Sequence, residues 1–323
     1  AMRAQVLQAP WVFADETPIR QLTGTGRRRG DDALGSPGAT TNYLWAWVGG
    51  RQVVFHYGQT RSAKAVRDML GIPYNPDDPL HGANGDLDPS TWEHGAWVGF
   101  VLCDGYAAYH PLFHSGSVQR AACWVHARRY FLGAAGRDPN AQAVVAHINA
   151  LFRIDKRIRR AAEKQHARHG DLPPGSDDHH AFICERRQRD LPEAIQALRD
   201  LLTKLTPIYS PDTVMGRALT YIANRWDALQ IFVDHGFLPM DNNTAERAIR
   251  PIAVGRKNWL FVGSEDGGAW AATMFSIVES CRLLKIDVDR YCEHVLDAIV
   301  TAPERSALDY SALTPLALRK QLR

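Results

Sequence analysis

Paired cysteines are missing from this chain. Its 5 cysteines, Cys103, Cys123, Cys184, Cys281 and Cys292, show no CxxC spacing, which excludes a disulfide framework and a cysteine-built zinc site and points to a reducing, cytoplasmic compartment. Long apolar runs are missing too, and the N-terminus lacks the charged-then-apolar order of a signal peptide, so no membrane partner is expected. Strong net charge is absent: the formal value is +3 with a sequence pI near 8.6. A nucleic-acid footprint, if present, has to be local. Internal repeats and low-complexity tracts are lacking. A starting methionine is lacking as well, since the chain opens on Ala1 almost at its first strand, and we expect a portion of a longer protein. What is present is 323 residues at 45% hydrophobic content, enough for a large core plus an inserted or second module.

Periodicity divides the chain. Trp11 to Glu16 reads as a buried strand closed by Pro18, with Phe13 and Asp15 on one face and Glu16 on the other. A loop of Gly, Thr and Ser follows with Arg27, Arg28 and Arg29 at its middle, either a solvated tip or an arm for phosphates. Tyr43 to Val48 and Gln52 to Tyr57 form a hairpin turned at Gly49 and Gly50. Thr60 can cap a helix from Arg61 to Leu70, stopped by Gly71. A Pro- and Asp-rich surface loop reaches Pro89, and the apolar run Trp97 to Cys103 reads as a strand buried on both faces. It ends at Asp104, either a helix N-cap over Gly105 to His110 or a carboxylate where sheets place their chemistry. Val118 to Ala122 is a fifth strand, and Cys123 to Leu132 a helix carrying His126, Arg128 and Arg129.

From about residue 138 to 236 only helices are expected. One stripe runs from Val144 to Ile158 and another from Leu191 to Leu205, with a polar linker around Pro173 to Gly175 that leaves His179 and His180 solvated. Ser210 caps a third helix, with Pro211 at its first position and Gly236 as its stop. Further on, Trp259 to Val262 reads as a short extended segment, then helices from Gly268 to Leu284 and from Val288 to Val300.

Asp241 to Asn258 stands apart. Asn243 is a good N-cap, so a short helix should start there and stop near Pro251. Glu246 is then either a capping-box acid with Arg250 as its helical partner, or a functional carboxylate. Arg247, Arg250, Arg256 and Lys257 outnumber what one carboxylate needs as counter-charge. Such a surplus suits a polyanion.

Five strands in a mixed sheet, with acids ending the first and fourth, follow the plan of the ribonuclease H-like fold by analogy of element order. The residues resemble the transposases of insertion-sequence family 66. The resemblance rests on ADETP at Ala14 to Pro18, LCDGYAAY at Leu102 to Tyr109, CWVHARRYF at Cys123 to Phe131, DNNTAERAIRP at Asp241 to Pro251, GRKNWLFVGS at Gly255 to Ser264, and SIVESCRLLKID at Ser276 to Asp287. It implies a DDE-type catalytic domain in which Asp15, Asp104 and Glu246 are the catalytic acids and metal ligands. The α/β core would then occupy residues 1–135 and 238–266, interrupted by an all-helical insertion at 136–237 and followed by C-terminal helices at 267–323. Relatives carry a further N-terminal region with a coiled coil and a DNA-binding module, which this stretch lacks, so little sequence preference in DNA binding is expected.

Cutting a phosphodiester needs an activated nucleophile and a stabilised leaving oxygen, which two magnesium ions, or manganese in their place, supply between carboxylates. Crowded acids should raise at least one carboxyl pKa in the metal-free protein. His126, Arg128, Arg247, Arg250, Arg256 and Lys257 would hold phosphates. The expected partners are element-end and target DNA, a second copy of the chain on that DNA, and accessory proteins of the same element. The competing expectations are a metal-dependent nuclease of the same fold and an inactive DNA-binding remnant.

Overall fold

The computed structural model describes residues 1–23, 38–71, 97–113 and 118–322. The Arg27 to Arg29 loop and the Pro- and Asp-rich stretch before Trp97 lie outside them. Helix α1 (Met2–Val6) leads into β1 (Trp11–Thr23), β2 (Gly38–Gly49), β3 (Gln52–Gly58), α2 (Ala63–Leu70), β4 (Gly99–Cys103) and β5 (Val118–Ala122). Helices α3 (Trp124–Ala135), α4 (Pro139–His169), α5 (Asp177–Asp190), α6 (Pro192–Leu205), α7 (Val214–Ala223) and α8 (Trp226–Gln230) follow. The chain finishes with α9 (Asn243–Trp259), β6 (Phe261–Val262), α10 (Glu265–Leu284), α11 (Val288–Thr301) and α12 (Pro315–Leu318). Two units result, one of residues 1–119 and 243–323, the other of residues 120–242, with the boundary inside β5. Among the described residues, no helix is long and apolar enough to cross a membrane.

The first unit is a mixed α/β layer built on β1. The sheet order is β3-β2-β1-β4-β5, and β6 pairs with β1 off that path. Among the described residues the sheet has 6 strands, not the expected five; the sixth, β6, falls within the extended segment expected at Trp259 to Val262, and at 2 residues it was too short to be read as a sheet strand. Strand β1 runs antiparallel to β2 from Phe13↔Val48 to Thr23↔Gly38. It runs parallel to β4 at Trp11 to Phe13 and to β6 at Arg20 and Gln21. Pro18 was expected to close β1 and does not. It falls between the β4 and β6 pairings, where the missing N–H interrupts no ladder bond on that side, and its carbonyl instead accepts from Arg256 Nη1 at 2.5 Å. The hairpin turn is also one residue later than expected. Gly49 pairs with Gln52, and Gly50 and Arg51 form the turn at φ 54° and 67°, the positive pair that a two-residue primed turn requires.

Alternation along β1 puts Val12 and Ala14 into a cluster with Trp45, Trp47, Val66, Met69, Val101 and Tyr109. Helix α2 starts at Ala63 behind Ser62, which leaves Arg61 outside the helix, and Gly71 closes it in the left-handed conformation at φ 73°. At the sheet edge, β3 presents backbone donors that α10 covers. Phe55 N donates to Ser276 Oγ at 2.8 Å and Val53 N to Ser280 Oγ at 2.9 Å. Serines four residues apart lie on one helix face, so they match alternate residues of the strand. This blunts the edge against further pairing.

Helix α9 begins at Asn243, which is therefore inside it rather than its cap, and it continues through Pro251 instead of stopping there. An interior proline costs about 3 kcal/mol. Burial of Ala245, Ala248, Ile249 and Ile252 offsets this, since each fully buried Ile contributes roughly 1.5–3 kcal/mol.

Beyond the last residues of β5, the second unit is helical. Helix α5 occupies part of what was expected to be polar linker, and His179 and His180 lie on it, half-buried. No apolar stripe announced it because its inward face is Ile183 plus the fully buried Arg187. Arg187 Nε donates to Asp155 Oδ1 at 2.8 Å, and Nη1 to the carbonyls of Phe232 at 2.6 Å and His235 at 3.0 Å. Asp155 Oδ2 takes Arg159 Nε at 2.9 Å. Burial lowers the Arg187 pKa to about 10, opposed by Asp155. Gly236 is needed here for close approach, since a Cβ would meet the His180 carbonyl oxygen at 1.8 Å. The third expected helix starts later, at Val214 behind Thr213, whose Oγ1 accepts from Gly216 N at 2.9 Å.

Two substitutions test these supports. Ser280→Ala strands a buried strand donor and should cost about 1–3 kcal/mol; an unchanged urea midpoint would contradict the edge-capping role. Asp155→Ala leaves Arg187 buried without its counter-charge and should cost about 3–5 kcal/mol, read in the same unfolding assay; a loss below about 1 kcal/mol would contradict it.

Candidate active site

Neighbouring acids on β1 meet opposite fates because successive side chains of a strand point to opposite faces. Glu16 faces the tryptophan cluster. Its side chain is 1% exposed and forms an ion pair with Arg61, whose Nε donates to Oε1 at 2.8 Å. The buried Tyr109 hydroxyl donates to Oε2 at 2.9 Å. Arg61 also stacks on the Tyr106 ring, 3.7 Å from its centroid. Burial raises the Glu16 pKa, and the Arg61 hydrogen bond pulls it back. Sequence reasoning missed this network. The signal for it was the Asp15–Glu16 adjacency itself, which obliges one acid to enter the core face and find a cation there.

Asp15 faces the other way, into an open cleft of about 390 Å³. The first two turns of α9 form its other wall, through Asn243, Glu246, Arg247, Ile249 and Arg250. Asp104 directly follows β4, the parallel neighbour of β1, and its Oδ1 accepts from Tyr106 N at 2.9 Å across Gly105 at φ 90°. The expected N-cap helix is a 3-10 segment from Ala107 to Phe113. Asp15 Oδ1 likewise accepts from a backbone donor, Glu16 N, at 2.9 Å. The Asp15 carboxyl is raised from 3.8 to about 7. Burial is the largest cause, followed by the charges of Glu16 and Asp104 and, after the opposing hydrogen bond from Glu16 N, that of Glu246.

The donor set suits a divalent cation in kind: hard carboxylate oxygens, one of them kept near half-protonation at neutral pH by burial and its acidic neighbours. It is not a finished coordination sphere. Among the described residues, no group of three or more Asp, Glu, His or Cys stands close enough to hold a metal ion. The acids share an electrostatic field without sharing a ligand cage.

The expected phosphate-binding residues separate into groups. Arg247 and Arg250 are exposed on the cleft wall beside Glu246. Arg256, in the last turn of α9, donates to Thr17 Oγ1 at 2.8 Å as well as to the Pro18 carbonyl, so it ties α9 to β1. Lys257 is exposed and does not line the cleft. His126 and Arg128 belong to α3 in the second unit, where Arg128 Nη1 donates to Asn149 Oδ1 at 2.8 Å. Asp241, five residues before Glu246, also lies in the second unit.

Comparison with known proteins adds to this geometry. The uncharacterized protein y4jD of Sinorhizobium fredii is 25% identical over 308 residues, covering 92% of this chain and 52% of that protein. The uncharacterized protein y4qI of the same organism is 29% identical over 301 residues, covering 88% of this chain and 46% of that protein. The chain thus spans about half the length of the curated relatives it matches. No solved structure matches it. A family model described as Transposase IS66 family matches residues 1–270, which include β1, β4, α9 and every acid of the cleft. On that match the chain belongs to the IS66 family of transposases.

Proposed function

We propose that this chain is the catalytic portion of a transposase that cleaves DNA strands and joins the freed 3′ hydroxyl to target DNA, with Asp15, Asp104 and Glu246 as its acids on a ribonuclease H-like core. The observation that carries the reading is the Asp15 carboxyl. It is half-buried and raised to about 7, with Glu16, Asp104 and Glu246 all adding to the rise. Structural acids are normally paired with cations, as Glu16 is. Asp15 instead has carboxylates as its charged neighbours, an arrangement that stores repulsion at one place in the fold.

Divalent cations, magnesium or manganese, would supply charge neutralisation of the transferring phosphate and activation of the attacking oxygen. Asp15, Asp104 and Glu246 would hold them. Backbone N–H groups of Glu16 and Tyr106 orient the first two carboxylates, and α9 brings the third with two arginines at hand. Arg247 and Arg250 orient phosphates flanking the reacting bond, their planar forks matching phosphate oxygens. The mixed sheet centred on β1 supports the ribonuclease H-like reading. DNA is the substrate, with a second copy of the chain and accessory proteins of the element as further partners in the full reaction.

Asp104→Asn and Glu246→Gln should each lower metal-dependent strand transfer from a pre-cut end by at least about 10²-fold while leaving the fold intact, because the isosteres remove ligand charge and create no cavity. Wild-type cleavage with no joined product would make the protein a nuclease, and full transfer by Asp104→Asn would overturn the assignment. Asp15 generates the pH prediction. Its folded pKa lies above the unfolded value, so the folded state keeps a proton that the unfolded state loses. Metal-free stability therefore falls as pH rises from about 4 to about 7, by up to about 4 kcal/mol from this group. In EDTA, Asp15→Asn should match wild type near pH 4 and be more stable at pH 8, yet inactive. Equal stability at both pH values would contradict the stored repulsion.

A further inference from the structure

The second unit carries a charged surface that the cleft does not explain. Helix α4 has Arg153, Lys156, Arg157, Arg160 and Lys164 lining one open groove of about 460 Å³. All five are exposed. Their spacing is i, i+3, i+4, i+7 and i+11, one face of a helix. At 1.5 Å per residue the stripe is about 16 Å long.

This face is only partly neutralised locally: against its five cations stand Glu163, exposed three residues after Arg160, and Asp190, the partner of Arg157. The acids of α4 are Asp155 and Glu163. Asp155 points into the core, where Arg187 and Arg159 occupy both of its oxygens. Arg157 has a distant partner in Asp190 at 3.8 Å. Among the described residues, no ion pair engages Arg153, Lys156, Arg160 or Lys164. Like charges three and four apart on a helix repel: Arg153 faces Arg157, Lys156 faces Arg160, and Arg160 faces Lys164. The opposite face of α4, through Val144, Ile148, Leu151, Ile158 and Ala162, already supplies the packing, so the cations add nothing to the fold that neutral side chains would not.

We propose that this stripe is a second DNA-binding surface, taking the phosphate backbone of duplex DNA without reading its bases. The proposal rests on the reading of the protein as an enzyme acting on DNA and extends it to the helical unit. Duplex DNA places a negative charge about every 1.7 Å of its axis, so a straight row of cations about 16 Å long meets several phosphates along one groove edge. Arginine and lysine mixed on a solvated face suit this unspecific binding.

The test uses the full chain and a random-sequence duplex, with binding measured by fluorescence anisotropy across a salt series. Replacing Arg153, Lys156, Arg160 and Lys164 together by Gln retains helix propensity and relieves repulsion. The slope of log K against log salt should fall by about 0.9 for each phosphate no longer neutralised, or about 3 to 4 in all. An unchanged slope overturns the proposal. Strand cleavage by the wild-type chain is read in parallel: cleavage with an unchanged slope sinks the stripe alone, whereas no cleavage and no DNA binding sinks the functional reading. Tighter binding of the wild type to single-stranded RNA or anionic vesicles than to duplex also overturns it. Should the fourfold variant fail to fold, acetylation of wild-type Lys156 and Lys164 decides, with protection by duplex expected and equal reactivity with and without DNA contradicting it.

Discussion

Everything in the first unit follows from two adjacent carboxylates on one buried strand. A strand cannot send successive side chains the same way, so Asp15 and Glu16 need separate solutions. Glu16 receives one: a guanidinium from just before α2, a tyrosine hydroxyl from the segment after β4, and nearly complete exclusion of water. Among the described residues, Asp15 receives a backbone donor and three acidic neighbours, with Arg247 and Arg250 across the cleft. The fold thereby neutralises one acid and leaves its neighbour in a state that a multivalent cation would relieve. Burial of an unneutralised carboxyl is costly, and natural chains retain such costs where function needs them.

The remaining architecture keeps β1 in place while leaving the edge beside Asp15 open. Strand β2 pairs along its length on one side, whereas β4 and β6 pair only at its two ends on the other. In the stretch between them lie Asp15, Thr17 and Pro18, and α9 lies there instead of a strand. Arg256 pins the far end of α9 to Thr17 and Pro18, so the helix that carries Glu246 is anchored to the strand that carries Asp15. Ser276 and Ser280 complete the sheet at the opposite edge by replacing ladder partners with side-chain oxygens.

Much of this was legible in the residues. Strand alternation separated Asp15 from Glu16, the glycine-rich hairpin was visible apart from its one-residue register, and Asp104 stood out at the end of an apolar run. Local rules failed where tertiary packing outweighed them. Pro18 and Pro251 read as breaks, yet one falls where no ladder bond is needed and the other is carried by buried Ile249 and Ile252. Helix α5 had no apolar stripe because an ion pair holds its inner face, and periodicity cannot show an ion pair formed across 32 residues. Arg61 was assigned to a helix it does not enter, since its partner lies 45 residues away. Arg256 read as a free cation, and no sequence rule predicts that a strand carbonyl beside a proline will claim it.

The central claim of the proposed function is that Asp15 is a half-buried acid whose charge a metal ion would neutralise. Calorimetric titration of Mn²⁺ into the full chain, repeated in buffers of differing ionisation enthalpy, counts the protons displaced. With the carboxyl near 7, binding should release close to one proton at pH 6, about half at pH 7 and almost none at pH 8.5, and Asp15→Asn should abolish both release and binding. Manganese binding with no proton release at pH 6, or undiminished binding by Asp15→Asn, would contradict the account.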